Sequence, residues 1–213
     1  MAIILPAILV QTAQEFEEHI NLLPEDVDTV SVDIMDGTFV ETSSFRDANT
    51  IRNIDTFMQY ELDLMVDDPL PIIEAWAKLP QTIRAIVHAE LKTDMRVLLQ
   101  EIKKHKLEVG IALLPQTRIA DIEHLLNEVD MVLIRGNEPG YSGRAFNPLM
   151  LEKVRELEQD YPHLLINVDI GVNAETIPEI IEAGATHLSV NSAIFKQSDP
   201  LVALRDLQRL ARP

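Results

Sequence analysis

The sequence predicts an α/β chain folded as one (β/α)8 barrel of the TIM type over residues 1–213, and three observations carry that expectation. Short β-branched and apolar runs alternate with segments whose apolar residues recur at helical spacing. The alternation is made eight times, where an open doubly wound sheet would usually stop nearer five or six strands. No low-complexity linker, Pro/Gly/Ser-rich stretch or shift in composition divides the chain of 213 residues, of which 46% are hydrophobic, enough for one well-buried core.

The expected strands are Ile3 to Leu9, Thr29 to Met35, Tyr60 to Val66, Ile83 to His88, Val109 to Leu114, Met131 to Ile134, Leu164 to Asp169 and His187 to Asn191. Between them, helices are expected over Ala13 to Leu23, Asp47 to Phe57, Leu70 to Leu79, Asp94 to His105, Ile119 to Glu128, Pro148 to Asp160, Ala174 to Ala183 and Pro200 to Leu210. Their Leu and Ile residues share an inward face, and their acidic residues form a solvated outer face with no chemistry implied. Trp76 sits among apolar neighbours and reads as packing. Lys103 to Lys106 is a basic run at a helix C-terminus, where it complements the dipole.

Composition excludes several classes of function. A formal net charge of −17 repels phosphate backbones, so neither nucleic acid nor an anionic membrane is expected as a partner. The absence of cysteine rules out disulfides, thiolate metal sites and a cysteine nucleophile, and accords with a cytoplasmic setting. The opening residues carry no basic n-region and no apolar run approaches about 18 residues, so neither a signal peptide nor a membrane span is expected.

Barrel chemistry gathers at the C-terminal ends of the strands. The polar residues there are Ser31 and Asp33, Asp63, His88 and Glu90, Arg135, and Asn167 and Asp169. Residues two apart on a strand share a face, so Asp33 points with Ser31 and Met35, and Asp63 with Met65. Three carboxylates, Asp33, Asp63 and Asp169, then converge on one pit. So many like charges require a divalent metal, an arginine or a raised pKa. Arg135 to Phe146, with Gly136, Pro139, Gly140 and Gly143, is the most glycine-dense connection and a candidate substrate loop.

These residues resemble the ribulose-phosphate 3-epimerase family over nearly the whole chain. Leu5 to Leu9 resembles its opening Pro-Ser-Ile-Leu, and Ser31 to Val40 its His-Val-Asp-Val-Met-Asp-Gly-x-Phe-Val. Asp63 to Val66 resembles His-Leu-Met-Val, and Glu138 to Phe146 resembles Asn-Pro-Gly-Phe-Gly-Gly-Gln-x-Phe. Val168 to Asn173 sits where the family has Val-Asp-Gly-Gly-Ile, and Asn191 to Phe195 where it has Gly-Ser-Ala-Ile-Phe. The resemblance implies a barrel of the ribulose-phosphate-binding type. It implies an isomerase that epimerises a pentulose phosphate, or related ketose phosphate, at C3 through an enediolate, with Asp33 and Asp169 as the acid/base pair. It also implies a metal held by these two aspartates and two histidines, a pit lined by Met35 and Met65, and a small-molecule sugar phosphate as partner.

The departures lie at the metal. Ser31 and Asp63 stand where the family has histidines, Ala7 replaces a serine, and Arg135 replaces a methionine. A surviving set of Asp33, Asp63 and Asp169 suits Mg²⁺ or Mn²⁺ better than Zn²⁺. The guanidinium of Arg135 offers the alternative of neutralising the carboxylates, or of stabilising the enediolate, with no metal. The phosphate end is better kept. Gly171, Asn191, Ser192 and Gly143 lie where the resembling enzymes hold phosphate on backbone donors. Ile170, Asn191 and Ser142 replace glycines, and Asn191 is the side chain best suited to a positive φ should the loop demand one. His88, with Glu90, is either a residue of the pit or hydrogen-bonded packing, and with Arg135 and Gly140 it completes the expected substrate-binding set. The rival to an active isomerase is a phosphosugar-binding barrel that lost turnover. A Schiff-base lyase is disfavoured because no lysine stands at a strand end. Homo-oligomerisation is left open.

Overall fold

The structure, a computed structural model, describes residues 1–139 and 145–212. Eight parallel strands close into a barrel in chain order, β1 pairing with both β2 and β8. They are β1 (Ile3–Ile8), β2 (Thr29–Met35), β3 (Gln59–Met65), β4 (Thr82–His88), β5 (Glu108–Leu113), β6 (Met131–Arg135), β7 (Leu165–Asp169) and β8 (His187–Val190). Helices α1 (Ala13–Leu22), α2 (Ala48–Ile51), α3 (Leu70–Trp76), α4 (Met95–Lys104), α5 (Ile119–Ile122), α6 (Met150–Asp160), α7 (Ile177–Glu182), α8 (Ser192–Phe195) and α9 (Pro200–Leu210) follow the strands. None of them is long and apolar enough to cross a membrane.

Local chemistry explains where the helices start. Thr12 and Glu15 form a capping box on α1, each accepting a hydrogen bond from the other's backbone N–H. Asp94 and Asp199 accept from Val97 N and Val202 N at the starts of α4 and α9. Several helices are shorter than expected, α3 and α7 by a few residues at their ends, and two segments depart further. The segment expected over Asp47 to Phe57 is helical only at Ala48–Ile51, because Asn53, Ile54, Asp55 and Thr56 are weak helix formers and Thr56 Oγ1 instead accepts from Met58 N. The segment expected over Ile119 to Glu128 passes from α5 into a 3-10 turn at Glu123.

Alternate strand residues divide into two shells. Val30, Val32 and Ile34 of β2, Leu62 and Leu64 of β3 and their counterparts pack outward against Phe16, Ile73, Trp76 and the other inner helix faces. The opposite face of each strand fills the barrel. Ile86, Ala112, Met131 and Leu133 form a small apolar cluster there, flanked by Leu165. Much of the remaining interior is polar. Arg84 pairs with Glu61, and its Nε donates to Glu108 Oε2 at 3.0 Å. Asn167 Nδ2 donates to Glu61 Oε1 at 3.2 Å and to Ser189 Oγ at 3.0 Å. This lower layer gives the buried Glu61 carboxylate its partners. Burial does raise the Glu61 pKa, and the guanidinium of Arg84 opposes the rise.

Candidate active site

Strand register brings the chemistry together. Asp33 lies beside Asp63 and Met35 beside Met65 across β2 and β3, and Arg135 lies beside Asp169 across β6 and β7. These residues sit at the strands' C-terminal ends. There Leu9, Asp33, Met35, Met65, Arg135 and Asp169 meet Pro139 and the loops after β7 and β8 around a cavity of about 490 Å³, taken out to its open mouth.

Arg135 organises the floor. Its guanidinium is almost wholly buried, 1% exposed, and its Nη2 donates to Asp63 Oδ1 and Oδ2, both at 2.7 Å. Nη1 pairs with Asp169 Oδ2. Nη2 also lies 3.2 Å from His88 Nε2, which leaves that ring nitrogen only the acceptor role and puts the proton on Nδ1, 3.3 Å from Glu90 Oε2. Burial, aided by the Arg135 charge, holds the His88 pKa below its usual value, so the imidazole is neutral. Burial also presses on Glu90, but hydrogen bonds from His88, Thr117 and Leu114 N outweigh it and hold this carboxyl below the usual range. Phe39 covers the His88 ring, with centroids 4.4 Å apart. A chain of contacts thus runs from Thr117 through Glu90 and His88 to Arg135.

The carboxylates differ in surroundings. Burial raises the Asp33 pKa well above its usual value, and the charges of Asp169 and Asp63 push the same way. Among the described residues the ion pairs of Arg135 go to Asp63 and Asp169, and none is made to Asp33. Asp169 is also raised by burial, with Arg135 pulling it back down. The end of β2 is fixed by Ser44, whose hydroxyl donates to Asp33 O at 2.6 Å and accepts from Met35 N at 2.9 Å.

After β7 and β8, Gly171, Asn191 and Ser192 line the cavity. Asn191 has φ −105°, so the loop demands no positive φ of it, and its Nδ2 donates to Ala7 O at 2.7 Å; the left-handed backbone lies elsewhere. It falls on Ile170 (φ 72°) and Gly171 (φ 80°). A Cβ at Gly171 would sit 2.3 Å from Phe146 N, and one at Gly136 would sit 2.3 Å from Ile170 O. These glycines let the chain after β6 pass close against the end of β7.

Most of the expected site residues therefore meet. Asp33, Met35, Met65, Arg135, Asp169, Gly171, Asn191 and Ser192 border one cavity. His88 and Asp63 stand behind Arg135 and are not among the lining residues. Gly140 and Gly143 lie outside the described residues. Leu9, Val172 and Ser189 were not singled out in the sequence. Ser189 could have been, since it lies two residues before Asn191 on the same strand face.

The residues do not fit a divalent cation. Both Asp63 oxygens and one of Asp169 are taken up by the guanidinium, a serine hydroxyl at position 31 is a poor ligand, and the described residues form no group of three or more His, Asp or Glu side chains that could hold a metal.

Comparison with known proteins identifies the lineage. The profile of the ribulose-phosphate 3 epimerase family matches residues 3–195. This chain belongs to that family. Ribulose-phosphate 3-epimerase of Bacillus subtilis is 35% identical over 188 residues, covering 85% of this chain and 86% of the relative. The cytoplasmic isoform of rice is 35% identical over 179 residues, covering 81% and 78%. Among solved structures, KGPDC from Streptococcus mutans superposes with a TM-score of 0.77 at 12% identity, covering 99% of this chain and 97% of the other. 3-Hexulose-6-phosphate synthase from Salmonella typhimurium does so at 0.73 and 15%, covering 99% and 98%. At those identities the likeness speaks for the barrel alone. The family, by contrast, rests on sequence.

Proposed function

We propose that this member of the ribulose-phosphate 3-epimerase family is an enzyme that epimerises a ketopentose phosphate at C3, with Asp33 and Asp169 as its acid/base pair. The observation that carries the reading is that both aspartates border one cavity in unequal electrostatic settings, Asp169 paired with Arg135 and Asp33 not. Epimerisation needs such an inequality, because one carboxylate must hold a proton while the other is free to take one. In one direction the Asp169 carboxylate removes the C3 proton, the electron pair moves onto the C2 oxygen as an enediolate, and protonated Asp33 delivers its proton to C3 from the opposite face. The reverse direction exchanges the two roles. Met35 and Met65 supply apolar walls that keep water from the enediolate, and the backbone around Gly171 and Ser192 receives the phosphate. The metabolic setting is the cytoplasm.

A second reading, a phosphosugar-binding barrel without turnover, draws on the same Arg135 and Asp169 contact, since a carboxylate held in an ion pair is a weaker base.

Incubation with ribulose 5-phosphate in D₂O separates the two. The epimerase incorporates one deuterium at C3 and forms xylulose 5-phosphate. Asp33→Asn and Asp169→Asn each slow interconversion by about 10²–10⁴-fold while leaving exchange detectable from only one of the two epimers, the one whose proton faces the surviving base. Saturable binding of ribulose 5-phosphate by calorimetry, with no deuterium in either epimer, would overturn the epimerase in favour of the second reading.

A further inference from the structure

The family resemblance implies a divalent cation among the carboxylates, and the residues of this chain do not accommodate one. We infer that the guanidinium of Arg135 permanently fills the cation's role, so that the site excludes divalent metals and offers an arginine as the electrophile toward the substrate. The catalytic half of this inference rests on the epimerase reading, whereas the exclusion of metal does not.

Three observations support it. First, the lone pairs that a metal would use are committed: Nη2 of Arg135 takes both oxygens of Asp63 at 2.7 Å, and Nη1 takes Asp169. A second, doubly charged cation entering the pit would have to displace a guanidinium that stays protonated at any ordinary pH and would repel it at short range. Second, Arg135 is held from behind. His88 Nε2 lies 3.2 Å from Nη2, and His88 is itself fixed by Glu90 and Phe39. Swinging the guanidinium aside would strand buried carboxylates on one side and a buried imidazole acceptor on the other. Third, Arg135 borders the cavity, so its charge stands beside the place a substrate would occupy. A fixed positive charge at that place counts most where negative charge develops during the reaction. As the electron pair leaving C3 moves onto the carbonyl oxygen, the negative charge that develops is met by the charge of this guanidinium. The guanidinium thus supplies, through its charge, what a metal would otherwise bring.

Mn²⁺ titration of the chelator-treated protein, read as free Mn²⁺ by electron paramagnetic resonance, tests the exclusion without requiring turnover. The expected result is no site tighter than about 100 μM (roughly −5.5 kcal/mol). One tight site per chain that disappears in Asp169→Asn would overturn the inference. The combined variant Ser31→His, Asp63→His, Arg135→Met serves as the converse. Folded, by circular dichroism, it is expected to bind one Mn²⁺ or Zn²⁺ stoichiometrically, and a folded variant that binds neither contradicts the role assigned to Arg135. Should it not fold, the titration of the unaltered protein still decides. Deuterium exchange provides the catalytic arm: its rate is expected to change less than about twofold with EDTA or added Mn²⁺, and loss of exchange in EDTA restored by Mn²⁺ overturns the electrophile assignment. A protein that shows neither exchange nor metal binding refutes the epimerase reading and leaves the exclusion of metal intact.

Discussion

Nη2 of Arg135, at the end of β6, lies 2.7 Å from both oxygens of Asp63, on β3. Those strands are not neighbours in the closed barrel, so the ion pair crosses its interior and ties two walls together. A buried pair of this kind is weak evidence of net stability, because desolvation offsets much of the attraction. Removing one partner is another matter. Arg135→Met leaves Asp63 and Asp169 buried without their counter-charge, and is expected to lower unfolding free energy by about 3–5 kcal/mol in urea titrations. Asp63→Leu in the same chain removes one stranded carboxylate and is expected to return at least about 1–2 kcal/mol of that loss. Strictly additive losses in the double variant would mean that the two side chains do not act as a pair.

That contact also shows what the sequence could and could not disclose. The eight strands were legible because their apolar runs are short, β-branched and bounded by turn residues. Position at the C-terminal ends of their strands put Asp33, Asp63, Arg135 and Asp169 at the same end of the barrel, and parity put Asp33 on one face with Met35 and Asp63 on one face with Met65. Parity says nothing about which carboxylates a long guanidinium reaches. Arg135 was a candidate to meet all three, but it reaches Asp63 and Asp169, and that choice depends on barrel closure and on His88 bracing it from behind. The Glu61 and Arg84 pair was hidden for a related reason: each sits in a strand that reads as apolar, and only cross-strand register makes them partners. The helix expected over Asp47 to Phe57 shows the opposite error, in which helical spacing of apolar residues outran the weak propensity of Asn53 to Thr56.

The loop after β7 carries a residue under strain. Ile170 adopts φ 72°, a conformation that a β-branched residue enters at a cost of about 1–2 kcal/mol. It also borders the cavity immediately after Asp169, so the strain lies between Asp169 and Gly171 at the cavity wall. Ile170→Gly is expected to be neutral to stabilising, by up to about 1 kcal/mol, because the gain in the folded state is partly offset by the freer unfolded chain. Gly171→Ala is expected to do the reverse. Its new Cβ would meet Phe146 N at 2.3 Å in a left-handed backbone, and both stability and ribulose 5-phosphate affinity should fall. Thermal melts with and without ribulose 5-phosphate read both effects. An Ile170→Gly protein less stable than the parent would show that side-chain packing outweighs backbone strain.

At the opposite end of the barrel, His187 is a buried base whose titration should govern acid stability. Burial, reinforced by the charge of Arg84, lowers its pKa from 6.5 to about 4, and Thr186 Oγ1 lies 3.0 Å from its Nδ1. The folded protein therefore holds the ring neutral in a range where the unfolded chain protonates it. The sign follows from proton counting: between pH 6.5 and about 4 the unfolded state binds the extra proton, so this contribution is complete above pH 6.5 and is lost as the pH falls toward 4. Its size is on the order of 3 kcal/mol across the window, close to one proton in the slope. His187→Gln removes the titration while keeping a polar side chain. The parent's unfolding free energy in urea should fall more steeply than the variant's as the pH is lowered through this window, by up to about 1.4 kcal/mol per pH unit. The carboxylates titrate in both proteins, so the difference isolates the histidine. Parallel stability curves would mean that the imidazole is solvated or paired well enough to protonate in place.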